Sequence, residues 1–198
     1  MPDSTDAAQA RRASLDLGIE PVTPAAGRVL TLLAKLIDAQ AVVEIGTGAG
    51  VSALALFAGM APDGVLTSVD REAEHHGVAK EALKSAGIRH TRYRLITGEA
   101  LTILPKLRAA AYDIVFVDGE LLEFPEYLEE GLRMVRPGGL LIINHALLGG
   151  KVADETNFDD ETMIMRDTLE AARAMDELTT ALVDVGDGLM ICTSRRTY

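Results

Sequence analysis

Short apolar segments typical of buried β-strands alternate along the chain with helix-like segments, and this alternation constrains the fold more than any other feature. The first such strand, AVVEIG, stays apolar until Glu44, as expected of a strand that is covered on both faces of a parallel sheet. The later strands read VLTSVD, RYRLITG, YDIVFVDG and LLIIN, with helical spacing of apolar residues between them. The pattern predicts an α/β fold with a doubly wound sheet and right-handed crossovers.

The two ends of the chain depart from this alternation. Near the C-terminus, TTALVDVGDGLMICTS contains two apolar runs joined by Gly186, Asp187 and Gly188, which predicts a β-hairpin. The sheet should therefore end with an antiparallel pair. Residues 1–14 are polar and rich in alanine, and we expect them to be a mobile lead-in. Residues 15–198 are expected to form a single domain, since their number suits one α/β unit.

The balance of charges restricts the partners and the location of the protein. The net charge is -11, with 30 acidic and 19 basic residues, so the surface should repel phosphate backbones and we expect no nucleic-acid partner. The pairs Arg11-Arg12 and Arg195-Arg196 lie near the termini. The single cysteine, Cys192, cannot form an internal disulfide, and we expect it in the core. With no signal-peptide core and no apolar run long enough to cross a bilayer, we expect a cytoplasmic protein without a membrane partner.

Polar residues stand where each predicted parallel strand ends. The carboxyl ends of parallel strands meet at one edge of a sheet, and ligands bind there. One polar residue at such a position would mean little, because loops are polar, but five successive ends with polar groups suggest a binding rim. The residues are Glu44, Asp70, Gly98-Glu99, Asp118 and Asn144-His145.

The segment EIGTGAGVS joins the first strand to a helix and carries glycines at positions 46, 48 and 50. Glycines at such spacing let the backbone approach a ligand closely, beside the free N–H groups of a helix N-terminus. The spacing is not that of a dinucleotide fingerprint, and Glu44 would repel a pyrophosphate but suits a cation. Asp70 is placed to accept hydrogen bonds from both ribose hydroxyls. A cationic nucleoside without phosphate is S-adenosylmethionine; the alternative is a structural turn that binds nothing.

Four segments taken together carry a family resemblance: VVEIGTGAGVSALALFAGM, GVLTSVD, FVDGELLEFPEYLEEGLRMVRPGGLLI and GGKVAD. They resemble the catechol and caffeoyl-CoA type of O-methyltransferase, particularly its bacterial members, over roughly residues 20–193. The resemblance implies a Rossmann-like class I methyltransferase with a seven-stranded, mostly parallel sheet. It also implies S-adenosylmethionine as cofactor, a small phenolic or catecholic molecule as hydroxyl acceptor, and a homodimer.

The same resemblance distributes the cofactor over named positions. Val22, in PVTP, would cover the cofactor from the N-terminal segment. The other cofactor-binding positions divide by the part of the ligand they would touch: Glu44, Gly46, Thr47, Gly48 and Ser52 for the methionine part and the glycine loop beside it, Asp70 and Arg71 for the ribose, Gly98, Glu99 and Ala100 for the adenine, and Asp118 and Glu120 where the methionine end meets the acceptor.

The chain departs from the family pattern at its expected catalytic residues. Metal-dependent members hold a divalent cation with an aspartate after strand four and an Asp-Asn pair after strand five. Here Asp118 remains, but the pair is Asn144-His145, and Leu121 replaces a lysine often credited with taking the substrate proton.

Three interpretations of this departure stay open. Asp118, Asn144 and His145 could hold a divalent metal, with a preference for Zn, Mn or Fe over Mg. Alternatively, His145 could act beside Asp118 as a general base on the acceptor hydroxyl. In the third interpretation, His145 only binds a neighbouring carboxylate and shapes the pocket.

Two other functions, and the placement of two further histidines, can also be judged from the sequence. Methylation of a nucleic-acid base is disfavoured by the acidic surface and by DGEL in place of the motif that such enzymes carry after strand four. A protein that binds the cofactor without catalysis, as a sensor or scaffold, remains the alternative. His75 and His76 are expected on a solvated helix face.

Overall fold

The computed structural model describes residues 4–194, and its centre is one seven-stranded sheet. The strands are β1 (Ala41–Ile45), β2 (Val65–Asp70), β3 (Tyr93–Thr97), β4 (Tyr112–Val117), β5 (Val135–Ile143), β6 (Leu178–Val183) and β7 (Leu189–Ser194). Their order across the sheet is β3-β2-β1-β4-β5-β7-β6. Strands β1 to β5 pair in parallel, whereas β7 is antiparallel to both β5 and β6. The predicted doubly wound α/β sheet with a C-terminal antiparallel hairpin is confirmed.

Helices cover both faces of this sheet. Within the described residues they are α1 (Thr5–Asp16), α2 (Pro24–Leu36), α3 (Val51–Gly59), α4 (Ala73–Ser85), α5 (Ala100–Ile103), α6 (Phe124–Met134) and α7 (Asp160–Ala174). Successive residues of a strand point to opposite faces, so Val42 packs with Leu30 of α2 in one core cluster while Val43 packs with Phe124 of α6 in the other. In the described part of the chain, no helix is both long and apolar enough to cross a membrane.

The N-terminal segment, whose composition predicts a mobile lead-in, contains a helix from residue 5. Residues 5–16 form α1, whose N-terminus is capped by the Ser4 hydroxyl, which accepts a hydrogen bond from the amide of Ala7. Ala10 and Ser14 are buried, and the Ser85 hydroxyl of α4 donates to Asp6 over 2.6 Å. The buried face of α1 consists of small residues, which pack closely against a neighbour without giving the strong apolar signal of leucine or valine.

The position of Cys192 agrees with the sequence prediction, whereas strand β5 is longer than predicted. Cys192 is buried in β7, as predicted. Strand β5 begins at Val135, earlier than the predicted LLIIN, because Tyr112 pairs with Val135 before the register shifts and Ile114 pairs with Leu140. The pair Arg195-Arg196 lies outside the described residues.

Candidate active site

The carboxyl ends of the parallel strands open into a cavity of about 410 Å³. Thirteen residues that the sequence assigned to a site line this cavity, although they come from six separate segments of the chain. They are Val22, Gly46, Thr47, Gly48, Ser52, Asp70, Arg71, Gly98, Glu99, Ala100, Asp118, Glu120 and His145. The predicted rim of strand ends is therefore a real concavity, with the exception of Glu44 and Asn144, which the structure places elsewhere.

The glycine loop after β1 owes its path to close backbone contact. A Cβ atom on Gly46, whose φ is +91°, would lie 2.1 Å from the carbonyl oxygen of Asp118. Only a residue without a side chain lets the loop pass so near the end of β4. The loop leads into α3, whose N-cap Gly50 supplies no side-chain hydrogen bond to the first turn of the helix. The N-terminal amides of α3 are thus not capped by a side chain beside the cavity.

Asp70 anchors the glycine loop from the end of β2. Its Oδ2 accepts hydrogen bonds from the amides of Thr47, at 2.9 Å, and Gly48, at 3.1 Å. Its Oδ1 accepts from the amide of Glu72, and Nδ1 of His75 lies 3.0 Å from both oxygens. Burial opposes ionisation, but these hydrogen bonds outweigh it and lower the pKa of Asp70. Asp70 is therefore an anion at the cavity wall, and it already accepts several protein donors.

Glu44 does not line the cavity, contrary to the expectation that its carboxylate faces the methionine part of a ligand. Its side chain is fully buried behind the glycine loop. The hydroxyls of Ser52 and Ser68 donate to its two oxygens, each over 2.6 Å. Burial is the main cause that raises the pKa of Glu44 to about 8. Glu44 and Ser52 were both predicted to bind the cofactor, but of these two residues only Ser52 lines the cavity.

Arg71 and Glu120 form an ion pair across the mouth of the cavity. The guanidinium of Arg71, after β2, lies 2.5 Å from Oε2 of Glu120, after β4. Both side chains are exposed at 51% and 38%, so the pair contributes little to stability. It instead places one charge of each sign at the entrance.

His145 is held between two carboxylates at the end of β5. Its Nε2 lies 3.1 Å from Oδ1 of Asp118, and its Nδ1 lies 2.9 Å from Oδ2 of Asp187. Burial disfavours the charged ring, but the hydrogen bonds and charges of both aspartates prevail and raise the pKa of His145 to about 9. The ring is thus an imidazolium at neutral pH. A protonated ring cannot take a proton, so this geometry does not support His145 as a general base.

A second cavity of about 440 Å³ adjoins the first. Four residues line both cavities, namely Glu20, Pro21, Val22 and His145. The second cavity is completed by the loop after β5, including Asn144, Leu148 and Lys151, and by the hairpin turn at Gly186 and Asp187. His145 therefore stands where the two cavities meet.

Comparison with known proteins shows the family to which the chain belongs. The family model described as O-methyltransferase matches residues 8–195. The chain belongs to the O-methyltransferase family. A relative from Mycobacterium sp. (strain JLS), named as an O-methyltransferase, is 45% identical over 184 residues, which cover 93% of this chain and 84% of the relative.

Solved structures of similar proteins support the assignment. A Corynebacterium glutamicum protein superposes with a TM-score of 0.93 at 27% identity, covering 100% of this chain and 93% of that chain. The O-methyltransferase TomG of Streptomyces achromogenes, involved in tomaymycin synthesis, was solved in complex with S-adenosylmethionine. It superposes with a TM-score of 0.88 at 28% identity, covering 98% of this chain and 91% of TomG. The predicted Rossmann-like class I methyltransferase fold is confirmed.

In this O-methyltransferase, the three residues expected to hold a metal contact one another directly. Oδ1 of Asp118 accepts from Nδ2 of Asn144 over 2.7 Å and also faces His145. Both ring nitrogens of His145 face carboxylates, and a protonated ring has no lone pair for a metal. Within residues 4–194, no three His, Cys, Asp or Glu side chains are grouped so that they could hold an ion. In this arrangement the ring of His145 binds the carboxylates of Asp118 and Asp187.

Two residues of this O-methyltransferase site were missed by the reading of the sequence. His75, expected on a solvated face of α4, lines the first cavity and binds Asp70, and its neighbour His76 is buried. Asp187 was assigned only to a hairpin turn, yet it binds His145. The only indication of this role in the sequence was that Asp187 is a polar residue between two glycines. Aspartate is also favoured in turns that have no binding role, so the pattern did not identify Asp187 as a site residue.

Proposed function

We propose that the chain is an S-adenosylmethionine-dependent O-methyltransferase that methylates the hydroxyl of a small phenolic or catecholic molecule. The observation that carries the proposal is the pair of cavities that meet at His145. The first suits the methyl donor and the second the acceptor. A methyl group at the junction would then face a hydroxyl in the second cavity.

The residues of the first cavity suit this cofactor. Its volume of about 410 Å³ lies in the range of roughly 300–1,000 Å³ typical of small-ligand sites. Gly46 and Gly48 place no side chain between the loop backbone and the cavity, and Gly98 and Ala100 form a wall without bulky side chains where the adenine is expected. Val22 is 5% exposed and covers the cavity from the N-terminal segment.

The proposed mechanism rests on orientation and electrostatics. The bound cofactor supplies an electrophilic methyl group on a sulfonium. The residues of the two cavities would hold the donor and the acceptor side by side, and such positioning would supply much of the rate. The imidazolium of His145 stabilises the negative charge that develops on the acceptor oxygen. The carboxylate of Asp118, beside His145, is the proposed acceptor of the hydroxyl proton.

The kind of molecule that accepts the methyl group is limited by the weak base, Asp118, at the junction of the two cavities. Leu121 stands where a lysine is expected by resemblance, and His145 is protonated, so the acceptor must be acidic enough to ionise with little help. Phenols and catechols meet this requirement better than alcohols. The second cavity combines the apolar side chains of Pro21, Val22 and Leu148 with polar groups, as an aromatic hydroxyl compound requires.

A methyl-transfer assay with labelled donor tests this function. Chelator-treated protein is offered a panel of phenols and catechols, with and without Mg²⁺, Mn²⁺ or Zn²⁺. We expect methylated product without added metal. Turnover that depends strictly on metal would contradict the proposed role of His145. Donor binding without any methylated acceptor would favour the alternative function, a binding protein that has lost catalysis.

A homodimer and a cytoplasmic location complete the proposal. The dimer rests on the family resemblance, and the exposed Leu32 and Leu36 of α2, at 55% and 71%, offer apolar surface for it. Light scattering that gives twice the chain mass would support the dimer, and the single chain mass would contradict it.

A further inference from the structure

A carboxyl group lies buried behind the glycine loop, one hydroxyl away from the cofactor cavity. Ser52 is 5% exposed and lines the cavity, and its hydroxyl donates to Oε1 of Glu44 over 2.6 Å. On the far side, Oε2 of Glu44 accepts from the hydroxyl of Ser68, also over 2.6 Å. Glu44 and Ser68 are fully buried.

The hydrogen bonds continue from Ser68 to the edge of the sheet. The Thr47 hydroxyl lies 2.6 Å from that of Ser68 and 3.0 Å from Nε2 of His76. Nδ1 of His76 lies 2.9 Å from the hydroxyl of Thr97, which is exposed at the end of β3. We call the set Ser52, Glu44, Ser68, Thr47, His76 and Thr97 the buried polar chain. Every link is a hydroxyl, a carboxyl or an imidazole, so the buried polar chain can carry a proton between the cavity and the solvent.

Because of the charges around Glu44, a charged ligand in the cavity can change the protonation state of its carboxyl group. Burial raises its pKa to about 8, the two serine hydrogen bonds oppose that rise, and the negative charges of Asp118 and Asp70 add to it. These two aspartates face Glu44 from the ends of β4 and β2. From α4, the pKa of His76 is lowered by burial, so this ring is mostly neutral at pH 7. Glu44 is thus mainly protonated at neutral pH, and a cation placed in the cavity would favour its ionised form.

We propose that Glu44 is a specificity-determining residue that distinguishes the sulfonium methyl donor from its neutral thioether product by changing its own protonation state. This inference rests on the proposed function. The donor carries a positive charge on sulfur, and its demethylated product, S-adenosylhomocysteine, does not. When the donor binds, the Glu44 carboxyl loses its proton, which leaves along the buried polar chain to solvent. When the product occupies the cavity, the carboxyl takes a proton back.

The consequence is a preference for donor over product that depends on pH. Near pH 7, donor binding must displace a proton, whereas product binding does not. As the pH rises through 8, a growing fraction of Glu44 is ionised before the donor arrives, so donor affinity increases. Product affinity decreases over the same interval, because the anion would then lie buried without a compensating cation.

Isothermal titration calorimetry of the full chain tests this inference. S-adenosylmethionine and S-adenosylhomocysteine are each titrated at pH 7 in phosphate and in Tris, two buffers with different heats of ionisation. The dependence of the heat on the buffer counts the protons released. We expect between half a proton and one proton more for the donor than for the product. Glu44→Gln, which keeps the shape of the side chain, should abolish that excess, whereas Glu81→Gln, an exposed site on α4, should keep it.

The comparison with Glu44→Gln also removes any contribution from the ammonium group of the ligand itself. An excess of protons that persists in Glu44→Gln, or equal counts for both ligands in the wild type, would overturn the inference while leaving the proposed function intact. Absence of heat with both ligands would overturn the two together.

Infrared difference spectra of the wild type give a second measurement that does not depend on whether Glu44→Gln folds. Loss of a protonated-carboxyl band on adding the donor, but not the product, is the expected result. An unchanged band with both ligands would overturn the inference.

Discussion

Asp187 and His145 are 42 positions apart in the sequence, yet Oδ2 of Asp187 lies 2.9 Å from Nδ1 of His145. The other oxygen of Asp187 accepts a hydrogen bond from the amide of Gly149 over 2.6 Å. The backbone reinforces this contact, since the amide of Leu147 donates to the carbonyl of Asp187. The turn between β6 and β7 therefore fixes both the ring of His145 and the loop that follows it. The C-terminal hairpin contributes to the junction of the two cavities as well as to the sheet.

This arrangement predicts that Asp187→Asn impairs the acceptor side of the reaction more than the donor side. Asp187 lines the second cavity but not the first, so donor affinity should change less than twofold. The loss of one anion weakens the hold on the imidazolium, and we expect kcat/KM for the acceptor to fall about tenfold, or about 1.4 kcal/mol. Steady-state kinetics and a binding titration check the two halves of the prediction. Asp184→Asn, an exposed residue at the start of the same turn, is the matched control, and equal losses in both variants would contradict the role of Asp187.

The raised pKa of His145 predicts how stability depends on pH. The folded-state pKa of about 9 exceeds the ordinary value of 6.5, so the protonated ring stabilises the fold fully below pH 6.5. This contribution is lost as the pH rises through 9. Urea denaturation should therefore show that the stability difference between wild type and His145→Gln shrinks by about 3 kcal/mol between pH 6.5 and 10. A difference that stays constant over this range would show that the ring is neutral in the folded protein.

The glycine loop predicts unequal effects of two alanine substitutions. Gly46→Ala would force a Cβ atom to 2.1 Å from the Asp118 carbonyl oxygen, and we expect a loss of more than about 3 kcal/mol or failure to fold. Gly48→Ala is the control, because its Cβ would meet nothing nearer than Ile19 at 3.6 Å. The positive φ of +48° should then cost only about 1 kcal/mol. Thermal denaturation measures both, and similar losses would mean that the contact with β4 is not as close as described.

Two threonines of α7 provide a matched test of buried hydroxyls. Thr162 is fully buried, and its hydroxyl makes no hydrogen bond of good geometry within the described residues. Thr162→Val should therefore leave stability unchanged or raise it by up to about 1 kcal/mol. The Thr168 hydroxyl donates to the carbonyl of Ile164 over 2.8 Å, so Thr168→Val should cost about 1 kcal/mol. Chemical denaturation of both variants checks the prediction, which a clear loss in Thr162→Val would contradict.

Much of the fold and of the cavity lining follows from local patterns in the sequence. Continuous apolar runs identified the parallel strands, and the rule that ligands bind beyond their carboxyl ends brought Asp70, Asp118 and His145 together correctly. These predictions succeed because strand ends and glycine loops are specified by residues close in sequence.

The side-chain orientations that the sequence did not predict depend on contacts between distant segments. Glu44 lies on the same side of β1 as Val42, so its side chain points under α3 towards Ser52. From the sequence alone, the direction in which a carboxylate side chain at a strand end points cannot be predicted. His145 likewise acquires its charge from Asp118 and Asp187, which lie in two other segments, and its sequence neighbours do not indicate either partner.

Equilibrium dialysis of chelator-treated protein against labelled S-adenosylmethionine tests whether the first cavity binds the methyl donor. We expect saturable binding of one donor molecule per chain, without added metal and in competition with S-adenosylhomocysteine. Absence of saturable binding up to millimolar donor would show that the cavity at the ends of the parallel strands is not a cofactor site, and would contradict the proposed function.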